Sequence, residues 1–219
     1  MLALKTEVDS QISDHESLRA GSFWVGYSTY QIAMPPIARF IRTYPEITLT
    51  ARAMASLDLV PMLRAGELDV AFVTARTAFE DLFNLEVASF RIGIIARADG
   101  ALAKVDRLAW SDIAGLPLIQ REPNAGTRRI FEAAAREAGI EVRTILGLGS
   151  WGSITSLVRE GIGVGVGSEA EMTTADHDLK FIPMKDKSLD AHQFLVAVPA
   201  MAESVIVRQF IEIATKTRA

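Results

Sequence analysis

The sequence has 219 residues, 49% of them hydrophobic and 23% charged, with no cysteine and a formal net charge of −4. That composition belongs to a globular chain with a sizeable core, and it excludes disorder, disulfide frameworks and thiolate chemistry. Basic residues are too dispersed to grip nucleic acid: residues 21–97 hold seven basic and seven acidic side chains, and the longest basic cluster is Arg128-Arg129.

Residues 1–19 show only weak helical spacing (Leu4, Val8, Ile12) and read as the end of a linker helix or a tail. They carry Glu7, Asp9, Asp14 and Glu16, unlike a signal peptide or a basic arm. No apolar stretch approaches the roughly 18 residues needed to span a bilayer. The expectation is a cytoplasmic protein with no membrane contact.

From Phe23 strands and helices alternate. Phe23 to Tyr27 is a short apolar strand. Ile37, Phe40, Ile41 and Tyr44 recur at helical spacing up to Pro45, with Pro35 and Pro36 in or before the first turn, where a missing N–H is harmless. Ile47 to Met54 alternates as a half-buried strand. Ser56 caps a helix through Leu63 that Gly66 closes, although Pro61 sits awkwardly deep in it. Asp69 to Thr74 is apolar on both faces, as a buried parallel strand requires. Arg91 to Arg97 is another strand, followed by the turn Asp99-Gly100.

A second series follows. Pro117 to Gln120 is a strand, Thr127 to Ala138 a helix ended by Gly139, and Val142 to Leu148 a strand. Ser150 to Glu160 is a helix ended by Gly161, and Ile162 to Val166 a strand. Phe194 to Val198 is a late strand and Ser204 to Thr215 a last helix. The order predicts an α/β fold of two Rossmann-like lobes with an inter-lobe cleft, joined by extended segments near 93–99 and 184–194. Residues 20–97 plus 190–219 form the first lobe, and residues 98–189 the second. Ligands of such folds bind at the carboxyl ends of the strands.

Enzyme chemistry is weakly signalled. His15, His177 and His192 lack ligand spacing, so no metal or cofactor is expected, and no nucleophile elbow or phosphate loop occurs. Gly147-Leu148-Gly149-Ser150-Trp151-Gly152 matches a dinucleotide fingerprint, with Glu169 near the position of a ribose-binding acid. Too little chain follows for the second half of such a fold, and Trp151 crowds the pyrophosphate passage, so a tight turn is the better reading. The alternating Gly161, Gly163, Gly165 and Gly167 read as a strand packed closely under a helix.

Anion recognition is better signalled. Arg121, Glu122, Asn124, Gly126, Thr127 and Arg128 lie where a strand runs into a helix N-terminus. Free N–H groups, the helix dipole and an arginine make such a turn an anion site. Comparable turns occur at Ser28-Thr29-Tyr30, at Ala55-Ser56 and at Ser150-Trp151-Gly152-Ser153, and Thr74 ends a parallel strand. All would line one cleft.

GELDVAF (Gly66 to Phe72), RFIRTYPEI (Arg39 to Ile47) and VREGIGVGVGSE (Val158 to Glu169) together resemble the effector-binding domain of LysR-type transcriptional regulators over about residues 20–215. The resemblance implies a fold like type 2 periplasmic binding proteins, a small-molecule effector in the cleft, and a DNA-binding domain ahead of residue 20, so that this chain is a piece of a longer regulator. It implies a homodimer, and a tetramer in the full-length protein, with helix 36–44 of one chain near helix 152–160 of the other. GYSTYQIAMP, MASLDLV and REPNAGTRRIFEAAAREAGI resemble the subset associated with phosphonates, notably 2-aminoethylphosphonate. The departures are Met54-Ala55 where that subset carries Gly-Asn, and Trp151-Gly152-Ser153 where it tends to carry Arg-Glu-Ala. The reading is a sensor of a small anionic or zwitterionic ligand. A periplasmic-type solute-binding protein for a small oxyanion and a nicotinamide oxidoreductase are the rivals.

Overall fold

The first lobe opens with β1 (Ser22–Tyr27), α1 (Tyr30–Thr43), β2 (Thr48–Ala53), α2 (Ser56–Arg64) and β3 (Val70–Ala75), the order the sequence predicts. The structure, a computed structural model, describes residues 22–217; the linker-helix reading of residues 1–19 falls outside them. β1 runs parallel between β2 and β3. β4 (Phe83–Arg97) is followed by α3 (Trp110–Ile113), β5 (Leu118–Arg121), α4 (Gly126–Glu137), β6 (Thr144–Leu148), α5 (Trp151–Arg159), β7 (Val164–Ser168) and β8 (Leu179–Pro183). The chain then returns through β9 (Asp190–Ala197), α6 (Pro199–Ala202) and α7 (Val205–Lys216).

The strands lie in the order β2-β1-β3-β9-β4-β7-β5-β6, with β8 also on β4. β4 serves both lobes. Its residues Phe83 to Arg91 pair antiparallel with β9, and from Ile92 it pairs instead with β7 and, from Gly93, with β8. β5 runs parallel between β6 and β7. The result is two mixed α/β sheets that share a strand, which is the two-lobed architecture expected.

Each sheet is covered on both faces, so the inner strands β3 and β5 are buried along their length, while the edge strands β2 and β6 are largely exposed. In the first lobe Phe23, Phe40 and Phe210 pack ring on ring at 5.2–5.3 Å between the sheet, α1 and α7. Leu59, Val60 and Leu63 of α2 cover its other face. In the second lobe Ile130, Phe131 and Ala134 of α4 cover one face, and Trp151, Ile154 and Val158 of α5 the other. The close glycine packing under a helix is present at two of the four positions: a Cβ on Gly165 would meet Ile154 at 3.0 Å, and one on Gly167 the Trp151 ring at 2.6 Å, whereas Gly161 has nothing within 4 Å and Gly163 faces the Pro117 carbonyl.

Several local readings need correction. Pro35 and Pro36 are inside α1, not at its start, because the helix begins at Tyr30. Each removes a ladder N–H, and the buried face of Ala33, Pro36, Ile37 and Phe40 holds the helix through the gap. β4 begins at Phe83 rather than Arg91. The alternation of Phe83, Leu85 and Val87 loses phase at a bulge between Glu86 and Ala88, which hides the strand's continuity. β8 was not anticipated; it is short and ends in Pro183, as suits an edge strand. β9 starts at Asp190, four residues before the apolar run at Phe194.

Candidate functional site

The carboxyl ends of β1, β2 and β5, with the turn after β6, enclose a cavity of about 170 Å3 between the lobes. The hydroxyl-bearing turns expected there supply Ser28, Thr29, Tyr30, Ser150 and Trp151, and β5 supplies Arg121. Thr29 begins α1 without a side-chain capping bond. The first-turn N–H groups of α1 therefore border the cavity with the positive end of the helix dipole. At α5 the cap is made: Ser150 accepts from the Ser153 N–H at 3.2 Å, and the two hydroxyls are 2.7 Å apart. Ser153 thus acts on Ser150.

Arg121 is 7% exposed and its guanidinium is largely committed. Nε and one terminal nitrogen donate to both carboxylate oxygens of Glu122 at 2.9 Å. The other terminal nitrogen donates to the Ser28 carbonyl at 3.3 Å across the lobe boundary and lies 3.8 Å from Glu171. Glu171 is 1% exposed and accepts from the Ser168 N–H at 2.9 Å and its hydroxyl at 3.1 Å. Burial pushes the Glu171 carboxyl above its ordinary value, against the Ser168 bonds and the Arg121 charge, which favour the carboxylate. Arg121 and Glu171 are the charged residues that line the cavity, while Glu122 pairs with Arg121 without lining it.

Other predicted site residues lie elsewhere. Ala55 is buried at the N-cap of α2. Ser56, Thr74 and Gly126 line a second cavity on the far side of a tight inter-lobe contact, where a Cβ on Gly126 would stand 2.2 Å from the Thr74 carbonyl. The Thr74 hydroxyl donates to Gln193 at 3.0 Å and its N–H donates to Ser56. Asn124 bridges the lobes, donating to Asp58 at 2.7 Å while its carbonyl accepts from the Leu57 N–H. Thr127 is buried and lines neither cavity. Arg128 binds Glu132 at 2.8 Å and the Arg121 carbonyl at 3.1 Å. Glu169, considered for a ribose, meets Arg91 at the surface at 3.3 Å.

The sequence reading missed Glu171, and with it Gln31 and Gly149. A signal for Glu171 existed: Ser168-x-x-Glu171 is a capping box, which ties that carboxylate to the end of β7. Gln31 closes the cavity by donating to the Glu171 carbonyl at 2.7 Å. The two lobes are thus clasped by Arg121, Asn124 and Gln31, of which Arg121 and Gln31 line the cavity.

A family model described as the LysR substrate binding domain matches residues 18–219. The chain belongs to that family. The LysR substrate-binding domain of this chain is 26% identical over 147 residues to a probable nitrogen assimilation transcriptional activator of Synechococcus elongatus, covering 66% of this chain and 48% of the relative. It is 27% identical over 187 residues to a protein of Anaeromyxobacter dehalogenans named as a phosphonates import ATP-binding protein, covering 83% of this chain and 37% of that one. The chain spans about half the length of the curated relatives it matches. Among solved structures, the regulatory domain of Synechocystis PCC6803 CcmR in complex with 2-PG superposes with a TM-score of 0.80 at 21% identity, covering 91% of this chain and 98% of that one. The fold is that of LysR effector-binding domains.

Proposed function

We propose that this LysR domain senses a small zwitterion held in the 170 Å3 cavity, with 2-aminoethylphosphonate as the candidate effector. One observation carries the reading: the cavity sets the positive start of α1 beside a guanidinium that two carboxylates already neutralise. A simple dianion would face Glu171. A ligand with an acid group for the α1 N–H groups and the Ser28, Thr29 and Ser150 hydroxyls, and an ammonium for Glu171, satisfies each of these parts. A stretch of 187 residues is 27% identical to part of a protein named for phosphonate import, which is why the phosphonate class is tested first.

The domain serves as the sensor of a longer cytoplasmic transcriptional regulator that binds DNA as a homodimer, with no catalytic step. The effector acts through its differential affinity for two lobe arrangements. The test is thermal unfolding against 2-aminoethylphosphonate, methylphosphonate, phosphate, sulfate and glycine. At a hundredfold excess over Kd the effector stabilises the fold by about 2.7 kcal/mol. A raised midpoint with the aminophosphonate alone is expected. Equal rises with phosphate and sulfate favour the oxyanion-carrier reading, and a flat panel removes the phosphonate.

A further inference from the structure

Glu171 is the one carboxylate among the residues that line the cavity of about 170 Å3, and its two oxygens are unequally served. Oε2 accepts from the Ser168 N–H at 2.9 Å and from its hydroxyl at 3.1 Å. Oε1 accepts no hydrogen bond among the described residues; Arg121 Nη1 stands 3.8 Å from it and donates to the Ser28 carbonyl instead. The rest of that guanidinium is bonded to both oxygens of Glu122. One cation therefore balances two carboxylates, and Glu171, 1% exposed, has almost no surface to hydrate its charge. Burial above all pushes its carboxyl up; the Ser168 bonds and Arg121 oppose this, and the Glu122 charge adds to it.

The other groups around Glu171 leave that balance as it is. Tyr27 and Tyr30 are the remaining titratable side chains of the lining. On β4, Arg91 is turned to Glu169 at 3.3 Å. From α1 comes Gln31, whose amide donates to the Glu171 carbonyl at 2.7 Å, and whose Oε1 is buried with no partner among the described residues. Two acceptors, Glu171 Oε1 and Gln31 Oε1, thus lack a donor. A proton on Glu171 supplies one, and so does the N–H of a cationic ligand.

We propose that Glu171 takes up a proton when the cavity holds no effector and releases it in exchange for the effector's cationic end. The inference rests on the zwitterion reading above. The proton leaves Oε1 for solvent as an ammonium N–H donates to the same oxygen, so one positive charge replaces another. Linkage fixes the sign. A ligand with a cationic end binds more tightly as pH rises, by at most about tenfold per pH unit for one proton, and a simple oxyanion binds more tightly as pH falls.

The experiment follows the carboxyl carbon of Glu171 by NMR, in the chain labelled with 13C at glutamate, from about pH 4 to about pH 8. The signal lost in Glu171→Gln identifies the residue. Should that variant not fold, Ser168→Ala identifies it instead, by raising its midpoint through the loss of one carboxylate-favouring bond. The expected midpoint lies above those of the other glutamates. Methylammonium, which carries only the cationic end, lowers it relative to sodium chloride at the same ionic strength of about 0.1 M. Saturating 2-aminoethylphosphonate lowers the proton affinity of Glu171 by about tenfold or more. A midpoint among the other glutamates, or one that methylammonium leaves unchanged, overturns the proposal. A midpoint lowered by methylammonium but not by 2-aminoethylphosphonate upholds the exchange and removes that effector.

Discussion

Glu171 has no exposed surface to hydrate its charge, and its compensation is local: two bonds from Ser168 and an arginine 3.8 Å away. Burial nevertheless raises its folded-state pKa. A raised folded-state value means that the associated stability is complete below the unfolded value and is lost as pH rises through the folded one. Glu171→Gln removes that dependence while keeping an oxygen to accept from Ser168. Urea midpoints measured from about pH 4 to about pH 8 should therefore fall for the parent relative to the variant as pH rises. Parallel curves would place Glu171 in an ordinary environment. Asp176 behaves in the opposite sense. Burial raises it, but bonds from Thr173 and Arg159 outweigh that and hold its carboxyl low, so its contribution is present above the unfolded value and lost on acidification.

At the scale of elements, the start of α4 rests on the end of β3 because residue 126 has no side chain. Gly126→Ala places a methyl against the Thr74 carbonyl, and backbone on both sides leaves no side chain to swing away. The expected outcome is a loss of about 1–3 kcal/mol in urea denaturation, with a larger radius of gyration in scattering as the lobes part. Unchanged stability and scattering would show that the contact yields without cost. The buried central strands were legible in the sequence because burial on both faces makes them plain apolar runs, as in DVAFVT and RIGIIAR. The returning strands were not: β9 begins with Asp190 and His192, and β4 changes face at its bulge. Site turns were legible as turns, since hydroxyl residues stand at strand ends. Which of them meet was not, because Gly126 against Thr74 separates Ser56 from Ser28, and that approach depends on how two distant segments pack. Arg121 could be found from sequence, but its neutralisation by Glu122 and Glu171 required the fold.

For the whole molecule, the described surface carries isolated large apolar residues on the faces where the family resemblance implies a partner. Ile41 on α1 is 46% exposed and Ile162, just beyond α5, is 51% exposed. We propose that a second copy covers them in antiparallel fashion, α1 of one chain near α5 of the other. In sedimentation, Ile41→Asp should run as a monomer at concentrations where the parent runs as a dimer. A parent that stays monomeric at high concentration would remove the dimer.

The shared strand β4 has a mechanical consequence. Arg91 is laddered to β9 and its neighbour Ile92 to β7, with no unpaired residue between the two sets of bonds. A hinge made of loose chain would let the lobes swing freely and forget their angle. Here any reorientation must be absorbed as a change of strand twist over a few hydrogen-bonded residues. The joint behaves as a torsion bar, of small amplitude and with a restoring torque, so a clasp as slight as a few polar contacts suffices to set it.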